Sequence, residues 1–187
     1  RLSGQFSFEQ LITISTLCIP VKKKIFTQYF DDNKYTLLNN GIALRKRSEK
    51  NKTLLELKIN RSHAESLEWV SNITTITHQD FIQYNFRDLP SEETLKKMRV
   101  IPQSLPFQKI VTQSNQVFQT NIFRTKWTEK YKESIFTICF DEGKIVCQNR
   151  EQLINEIEIE VQSDEKNLLL DFCVNLWVKL PNSFYQG

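Results

Sequence analysis

Charged residues recur at every second position in several stretches of the chain, a spacing that places them on one face of an extended strand. Arg45 and Arg47 share a face with Ala43, against Ile42 and Leu44. Glu56 and Lys58 share one, against Leu55, Leu57 and Ile59. Arg124, Lys126 and Lys130 do the same, with Phe123 and Trp127 opposite. Asp141 falls with Thr137 and Cys139, against Phe136, Ile138 and Phe140. Glu156, Glu158 and Glu160 alternate with Ile157, Ile159 and Val161, and Glu68 lies between Leu67 and Trp69.

A sheet with one dry and one wet face produces the same alternation. The signs, however, are sorted by strand. The basic positions Arg45, Arg47, Lys58, Arg124 and Lys126 suit a polyanion with several phosphate oxygens, which arginine can bind in a bidentate fork. The acidic run is the reverse case. Carboxylates two apart on a strand lie about 7 Å from each other, and at an effective dielectric near 20 each adjacent pair repels by roughly 2 kcal/mol. A divalent cation would relieve that cost. Magnesium takes one or two carboxylates and completes its shell with water and substrate phosphates. Basic strands together with a carboxylate strand therefore point to a metal-bridged phosphate ligand.

Other chemistries are poorly served. The four glycines, Gly4, Gly41, Gly143 and Gly187, form neither a GxGxxG loop nor a P-loop, so phosphate must be bound by side chains. His63 and His78 are too few for a zinc cage, and no local signature supports a Ser-His-Asp or Cys-His site. The four cysteines show no CxxC, which favours reduced thiols and a cytoplasmic protein. A net charge of +3 argues against duplex nucleic acid or a membrane held by bulk charge. No apolar run approaches the roughly 18 residues of a membrane span. The 187 residues suit one domain, residues 1–187, and the oligomeric state is not readable.

The elements that would position these residues follow from period and punctuation. Phe6–Thr16 reads as a helix opened by Ser7 and Gln10 in capping-box spacing. Lys24–Phe30 reads as a strand, followed by an Asp31-Asp32-Asn33 turn and a short helical turn ended by Gly41. Ile42–Ser48, Thr53–Ile59 and Ser66–Asn72 form an antiparallel meander, with Phe81–Phe86 as a further strand. Pro90 opens a short helix through Met98, and Pro102 and Pro106 break the next stretch. Asn121–Tyr131, Ser134–Asp141, Lys144–Gln148 and Leu153–Gln162 resume the strands, with Asp141-Glu142-Gly143 as a hairpin turn. A last helix begins near Ser163, carries Leu169, Phe172, Leu176 and Leu180 on one face, and stops at Pro181. The large aromatics Trp69, Phe123 and Trp127 fall on the apolar faces and are expected in the core. The fold class is α+β, with about eight strands.

The ordered set of motifs resembles the CYTH domain, the triphosphate tunnel metalloenzyme family. Tyr29-Phe30-Asp31-Asp32 is similar to its aromatic-acid turn, and Gly41 to Arg47 (GIALRKR) to its G-x-x-L-R-x-R strand. Leu57-Lys58, Glu68-Trp69, Phe123 to Trp127 (FRTKW), Phe140 to Gly143 (FDEG) and Glu156 to Glu160 (EIEIE) follow in order. The last segments are most like those of bacterial inorganic triphosphatases. The family's E-x-E-x-K opening strand is not visible; Arg1-Leu2 is similar to the end of one, with arginine in the lysine's place. Glu56 stands where a small or polar residue is commoner, and Lys58 is its candidate partner.

The resemblance implies a closed eight-stranded antiparallel barrel whose charged faces line a tunnel and whose apolar faces are covered by helices. It implies metal-dependent hydrolysis of a triphosphate, inorganic triphosphate first. Phosphate ligands would be Arg45, Arg47, Lys58, Arg124, Lys126 and Arg1. Glu156, Glu158 and Asp141 would hold Mg²⁺ or Mn²⁺, with Glu68 and Glu160 as further candidates, and Glu156, Glu158 and Lys58 would carry catalysis. The same resemblance admits a thiamine triphosphatase, a class IV adenylate cyclase or an RNA 5′-triphosphatase. A module that binds polyphosphate or nucleotide without turnover is expected if the opening glutamate strand is absent.

Overall fold

A computed structural model describes residues 2–4, 9, 11, 19–50, 52–60, 66–72, 89–161, 166–179 and 183–185, the first and last of these segments by backbone alone. Seven long strands lie within it: β2 (Val21–Asp31), β3 (Ile42–Glu49), β4 (Lys52–Asn60), β5 (Ser66–Asn72), β6 (Asn115–Tyr131), β7 (Ser134–Cys147) and β8 (Arg150–Val161). Two three-residue strands, β1 (Leu2–Gly4) and β9 (Ser183–Tyr185), complete the sheet. The order is β5-β4-β3-β2-β6-β7-β8-β1-β9. The expected α+β class holds. Among the described residues, though, the strands number nine and their order is open, with β5 and β9 at its ends, where eight strands in a closed ring were expected.

The chain groups into two compact units. The central unit is Ile25–Asn121 with Val146–Arg150, and the terminal unit is Arg1–Lys24, Ile122–Ile145 and Glu151–Gly187. In the central unit, β3 and β4 pair in antiparallel register, Ile42 to Ile59 through Glu49 to Lys52. Ile42, Leu44, Leu55, Leu57 and Ile59 are buried, as the period of two requires. They pack with Leu37 of helix α1 (Thr36–Asn39), Leu95 of α2 (Glu92–Lys97) and Phe107, Ile110 and Val111 of α3 (Phe107–Gln113). In the terminal unit, Phe136, Ile138, Phe140, Ile157 and Trp127 pack with Phe172 and Leu176 of α4 (Lys166–Lys179).

Local chemistry explains the joints. Asp31 is fully buried, and its carboxylate accepts from the backbone N–H groups of Asp32 (2.8 Å), Leu37 (3.0 Å) and Leu38 (2.9 Å). It thereby ties the end of β2 to α1. Asp32 accepts from Thr36 N (2.9 Å) and Lys34 N (3.0 Å), and these bonds, the Thr36 one first, hold its carboxyl below the usual carboxylate value. Gly41 leads from α1 into β3 at φ +70°, a conformation that favours glycine. Ser91 caps α2 by accepting from Thr94 N at 3.2 Å, with Glu92 and Glu93 in the first turn and Lys96 and Lys97 in the last.

Three expectations need correction. Asp141-Glu142-Gly143 is not a hairpin, because β7 runs unbroken from Ser134 to Cys147. The reversals fall instead at Lys132-Glu133 and Gln148-Asn149, each opened by a left-handed residue, Lys132 at φ 53° and Gln148 at φ 52°. Asp141 has turn chemistry, but its side chain is captured by Arg124 across the sheet, and that contact outweighs local preference. Pro106 does not break structure. It occupies the cap position of α3, where a missing N–H costs nothing. Phe123 is not a core residue: it is 47% exposed, with the Lys22 ammonium 5.3 Å from its ring centroid. Trp127 is buried, and Trp69 packs against the central core as expected. The readings of Phe6–Thr16 as a helix and Phe81–Phe86 as a strand lie outside the described residues, apart from Glu9 and Leu11, which are helical.

Candidate functional site

In the central unit, the face of β3 and β4 opposite the core carries Arg45, Arg47, Glu56 and Lys58. Register sets the partners. Arg45 lies directly across from Glu56, and Lys58 directly across from Glu68 on β5. Facing residues are closer than neighbours two apart on one strand. Glu56 therefore bonds Arg45 (Nε to Oε2, 2.5 Å) and lies 3.5 Å from Nη1 of Arg47, in place of the expected pairing with Lys58. Lys58 Nζ instead sits 2.8 Å from Oε1 of Glu68, with Arg45 Nη2 at 4.0 Å from the same oxygen.

Most of these charges are covered: the side chains of Arg45, Arg47 and Lys58 are 12%, 18% and 23% exposed, and Glu56 is buried. The charged face is not an ordinary wet face. Burial works against the Arg45 charge, but the Tyr29 hydroxyl and the Glu56 carboxylate outweigh it and hold that guanidinium above its ordinary value. Burial likewise pushes Glu68 up, while Lys58, Arg45 and Arg47 pull it further down, so its carboxyl titrates below the usual glutamate value. Tyr29 was not foreseen as a site residue. It faces Arg45 across β2 and β3, and its ring stacks on Phe118 with centroids 4.3 Å apart. Its place at the head of the Tyr29-Phe30-Asp31-Asp32 motif was the available signal.

The terminal unit has a cluster of its own. Arg124 of β6 grips Asp141 of β7 in a fork, Nε to Oδ1 and Nη2 to Oδ2, both at 2.7 Å. Its Nη2 also donates to Oε2 of Glu158 on β8 at 3.1 Å. Burial opposes the Arg124 charge, and the two carboxylates more than compensate, raising it above the ordinary arginine value. Cys139 lies beside them. Burial pushes its thiol up, and it also feels Glu158, Glu160 and Lys126. Lys126 and Glu160 are exposed, and Glu156 is half-buried. The backbone of β1 pairs with β8 at Ser3 to Glu156 and Leu2 to Ile157, so a short strand runs beside the acidic one. Arg1 itself, His63 and His78 lie outside the described residues.

A match to the CYTH domain extends over residues 20–185. The chain belongs to the CYTH domain family. An inorganic triphosphatase of Haemophilus influenzae is 28% identical to it over 153 residues, 79% of this chain and 39% of the relative. The chain thus spans well under half the length of that curated relative. Among solved structures, a Bacillus halodurans protein named for adenylate cyclase superposes with a TM-score of 0.61 at 18% identity, covering 100% of this chain and 91% of the other. A Hippeastrum protein, named for adenylyl cyclase and described with a dominant triphosphatase activity, gives 0.50 at 19% identity, covering 100% and 89%. These structures share the CYTH fold.

Whether this CYTH chain has a place for a divalent cation is a question of donor chemistry. Among the described residues no group of three or more His, Cys, Asp or Glu side chains is placed to hold a metal ion. Asp141 and Glu158 do converge, since one guanidinium bonds both. Two hard carboxylates at one point meet the protein's share of a magnesium shell, whose remaining ligands are water and phosphate. The donors present fit such an ion. They do not form a cage that would hold it without a phosphate ligand.

Proposed function

We propose that this chain hydrolyses a triphosphate, inorganic triphosphate first, with Mg²⁺ or Mn²⁺. The observation that carries the reading is the pair of covered charge clusters, one rich in cations around Arg45 and one rich in carboxylates around Arg124. The proposal takes in the single CYTH-like domain of residues 1–187, the closed eight-stranded tunnel barrel and a cytoplasmic setting. Cys139, Cys147 and Cys173 are free thiols, which agrees with that setting.

Arg45, Arg47 and Lys58, with Arg124, Lys126 and Arg1, bind phosphate oxygens and cancel charge as the phosphoanhydride breaks. Glu156, Glu158 and Asp141 are the residues assigned to the cation, Asp141 and Glu158 first because they converge, with Glu68 and Glu160 as further candidates. When bound, the cation supplies charge neutralisation and an acidified water. The roles assigned to catalysis are orientation of the attacking water for Glu158 and Glu156, and steadying of phosphate oxygens for Lys58. No sequence motif announces a base pocket, which keeps inorganic triphosphate ahead of thiamine triphosphate, ATP or an RNA 5′ end.

The test is phosphate release from inorganic triphosphate with Mg²⁺ or Mn²⁺, set beside ATP and thiamine triphosphate. Release from inorganic triphosphate supports the reading. Cyclic AMP from ATP moves the assignment to a cyclase. Binding without turnover moves it to a polyphosphate- or nucleotide-binding module. Triphosphate that neither binds nor raises the melting temperature removes the reading altogether.

A further inference from the structure

Glu56 is the most deeply placed acid of the basic row, and its position asks for a reason. It sits on β4 directly across from Arg45 of β3, with its side chain 6% exposed. Its two oxygens are divided between two arginines, Oε2 at 2.5 Å from Arg45 Nε and Oε1 at 3.5 Å from Arg47 Nη1. A buried carboxylate so placed has two effects. By taking the Nε edge of Arg45 it fixes the side chain, so that an arriving phosphate must meet the terminal Nη edge. It also removes a positive charge where a polyanion would bind. Arg45, Arg47 and Lys58 are three cations against the two carboxylates Glu56 and Glu68, which leaves one net positive charge in the row.

We propose that Glu56 is a positioning and specificity-determining residue, a built-in counter-anion that orients Arg45 and Arg47 toward a phosphoryl group and weakens the row's hold on anions so that product phosphate can leave. This rests on the functional reading above. Full neutralisation of the row would forfeit the ligand, and no neutralisation would trap it. A covered carboxylate hydrogen-bonded to one arginine and close to a second sets the balance between them. Such a contact acts through the arginines and needs no contact with substrate.

The experiment compares the wild-type protein with Glu56→Gln and Glu56→Thr. Inorganic triphosphate and orthophosphate binding are measured by calorimetry, steady-state kinetics with Mg²⁺, and melting temperature without ligand. Glutamine keeps an acceptor oxygen for Nε but not the charge. Its Kd for triphosphate and for orthophosphate should fall about tenfold or more, since one charge is removed at close range under partial burial. KM should fall with it, and kcat should fall as product is retained. Threonine loses the orienting contact as well, so kcat should drop further while affinity still exceeds that of wild type. Unchanged or weaker binding in Glu56→Gln at an unchanged melting temperature overturns the inference. So do two variants that remain unfolded even with saturating triphosphate, which would assign Glu56 to folding alone. Wild-type protein that does not bind triphosphate removes the functional reading and this inference with it. Wild-type binding without tightening in Glu56→Gln removes the inference only.

Discussion

Arg124 is the point at which the terminal unit can be tested most sharply. It makes a fork to Asp141 with two bonds of 2.7 Å and a third bond of 3.1 Å to Glu158. The three side chains are 19%, 10% and 19% exposed. At about 4 Å and an effective dielectric near 20, one such ion pair is worth about 4 kcal/mol before desolvation. Desolvation of the guanidinium offsets much of that in the intact protein. Once Arg124 is removed, two covered carboxylates lose their shared cation, and breaking a buried pair from one side costs about 3–5 kcal/mol. Arg124→Met should therefore lower the unfolding free energy by about that amount, a large part of a typical total of about 5–15 kcal/mol. The assay is urea denaturation followed by tryptophan fluorescence, with the m-value checked for constancy. Adding Asp141→Asn should recover part of the loss, because the stranded charge is then gone. Mg²⁺ should raise the melting temperature of Arg124→Met more than that of wild type, since the vacated carboxylates become available to it. A loss within about 1 kcal/mol would show that Asp141 and Glu158 do not depend on Arg124, and the account of the cluster would fail.

Three further outcomes are expected. Glu68 titrates below its ordinary value, so its contribution to stability is fully present above the unfolded value of about pH 4.3 and is lost as pH falls through the lowered folded value. Glu68→Gln should flatten that acid limb in a pH series of melts; an unchanged limb would contradict the Lys58 pairing. Asp31→Ala removes a buried carboxylate that accepts from three backbone N–H groups, and should cost about 2–4 kcal/mol by chemical denaturation. Gly41→Ala should cost about 1–2 kcal/mol from its left-handed backbone alone, because the added carbon has room at 3.6 Å from Asn60 O. A neutral Gly41→Ala variant would refute the claim that this turn needs glycine.

The alternation of charge was readable because a period of two survives any tertiary context that keeps the strand. Ile42, Leu44, Leu55, Leu57, Phe136, Ile138 and Phe140 are buried where that period put them. The pairing of charges was not readable, because it depends on register. Which acid meets Arg45 is decided by the offset between β3 and β4, and one residue of slip would have delivered another partner. The Asp141-Glu142-Gly143 signal failed for a related reason: a local preference for turning was overruled by a bond to a residue 17 positions away. Helix α3 was hidden by Pro106, whose effect depends on whether it stands before or inside the first turn. Tyr29 carried no charge and so escaped a search built on charge, although it shares the face of the arginine it bonds.

The near-neutral total of +3 takes on a physical meaning once the partners are known. Uncompensated cations under cover would be expensive, since a buried charge must be paired or lose its charge. Each unit meets that demand internally, Arg45 with Glu56 in one and Arg124 with Asp141 and Glu158 in the other. A phosphate that binds either row then exchanges one set of charge-assisted bonds for another, and the free energy of binding is only the difference. Affinity is set as much by the acids as by the arginines. In the Arg45 row, removing Glu56 should strengthen anion binding and removing Arg45 should weaken it, at similar cost to the fold. A protein whose rows served folding alone would lose stability in both cases and show no opposite shift in anion affinity. That opposition of sign is the property that separates a binding surface from a structural one.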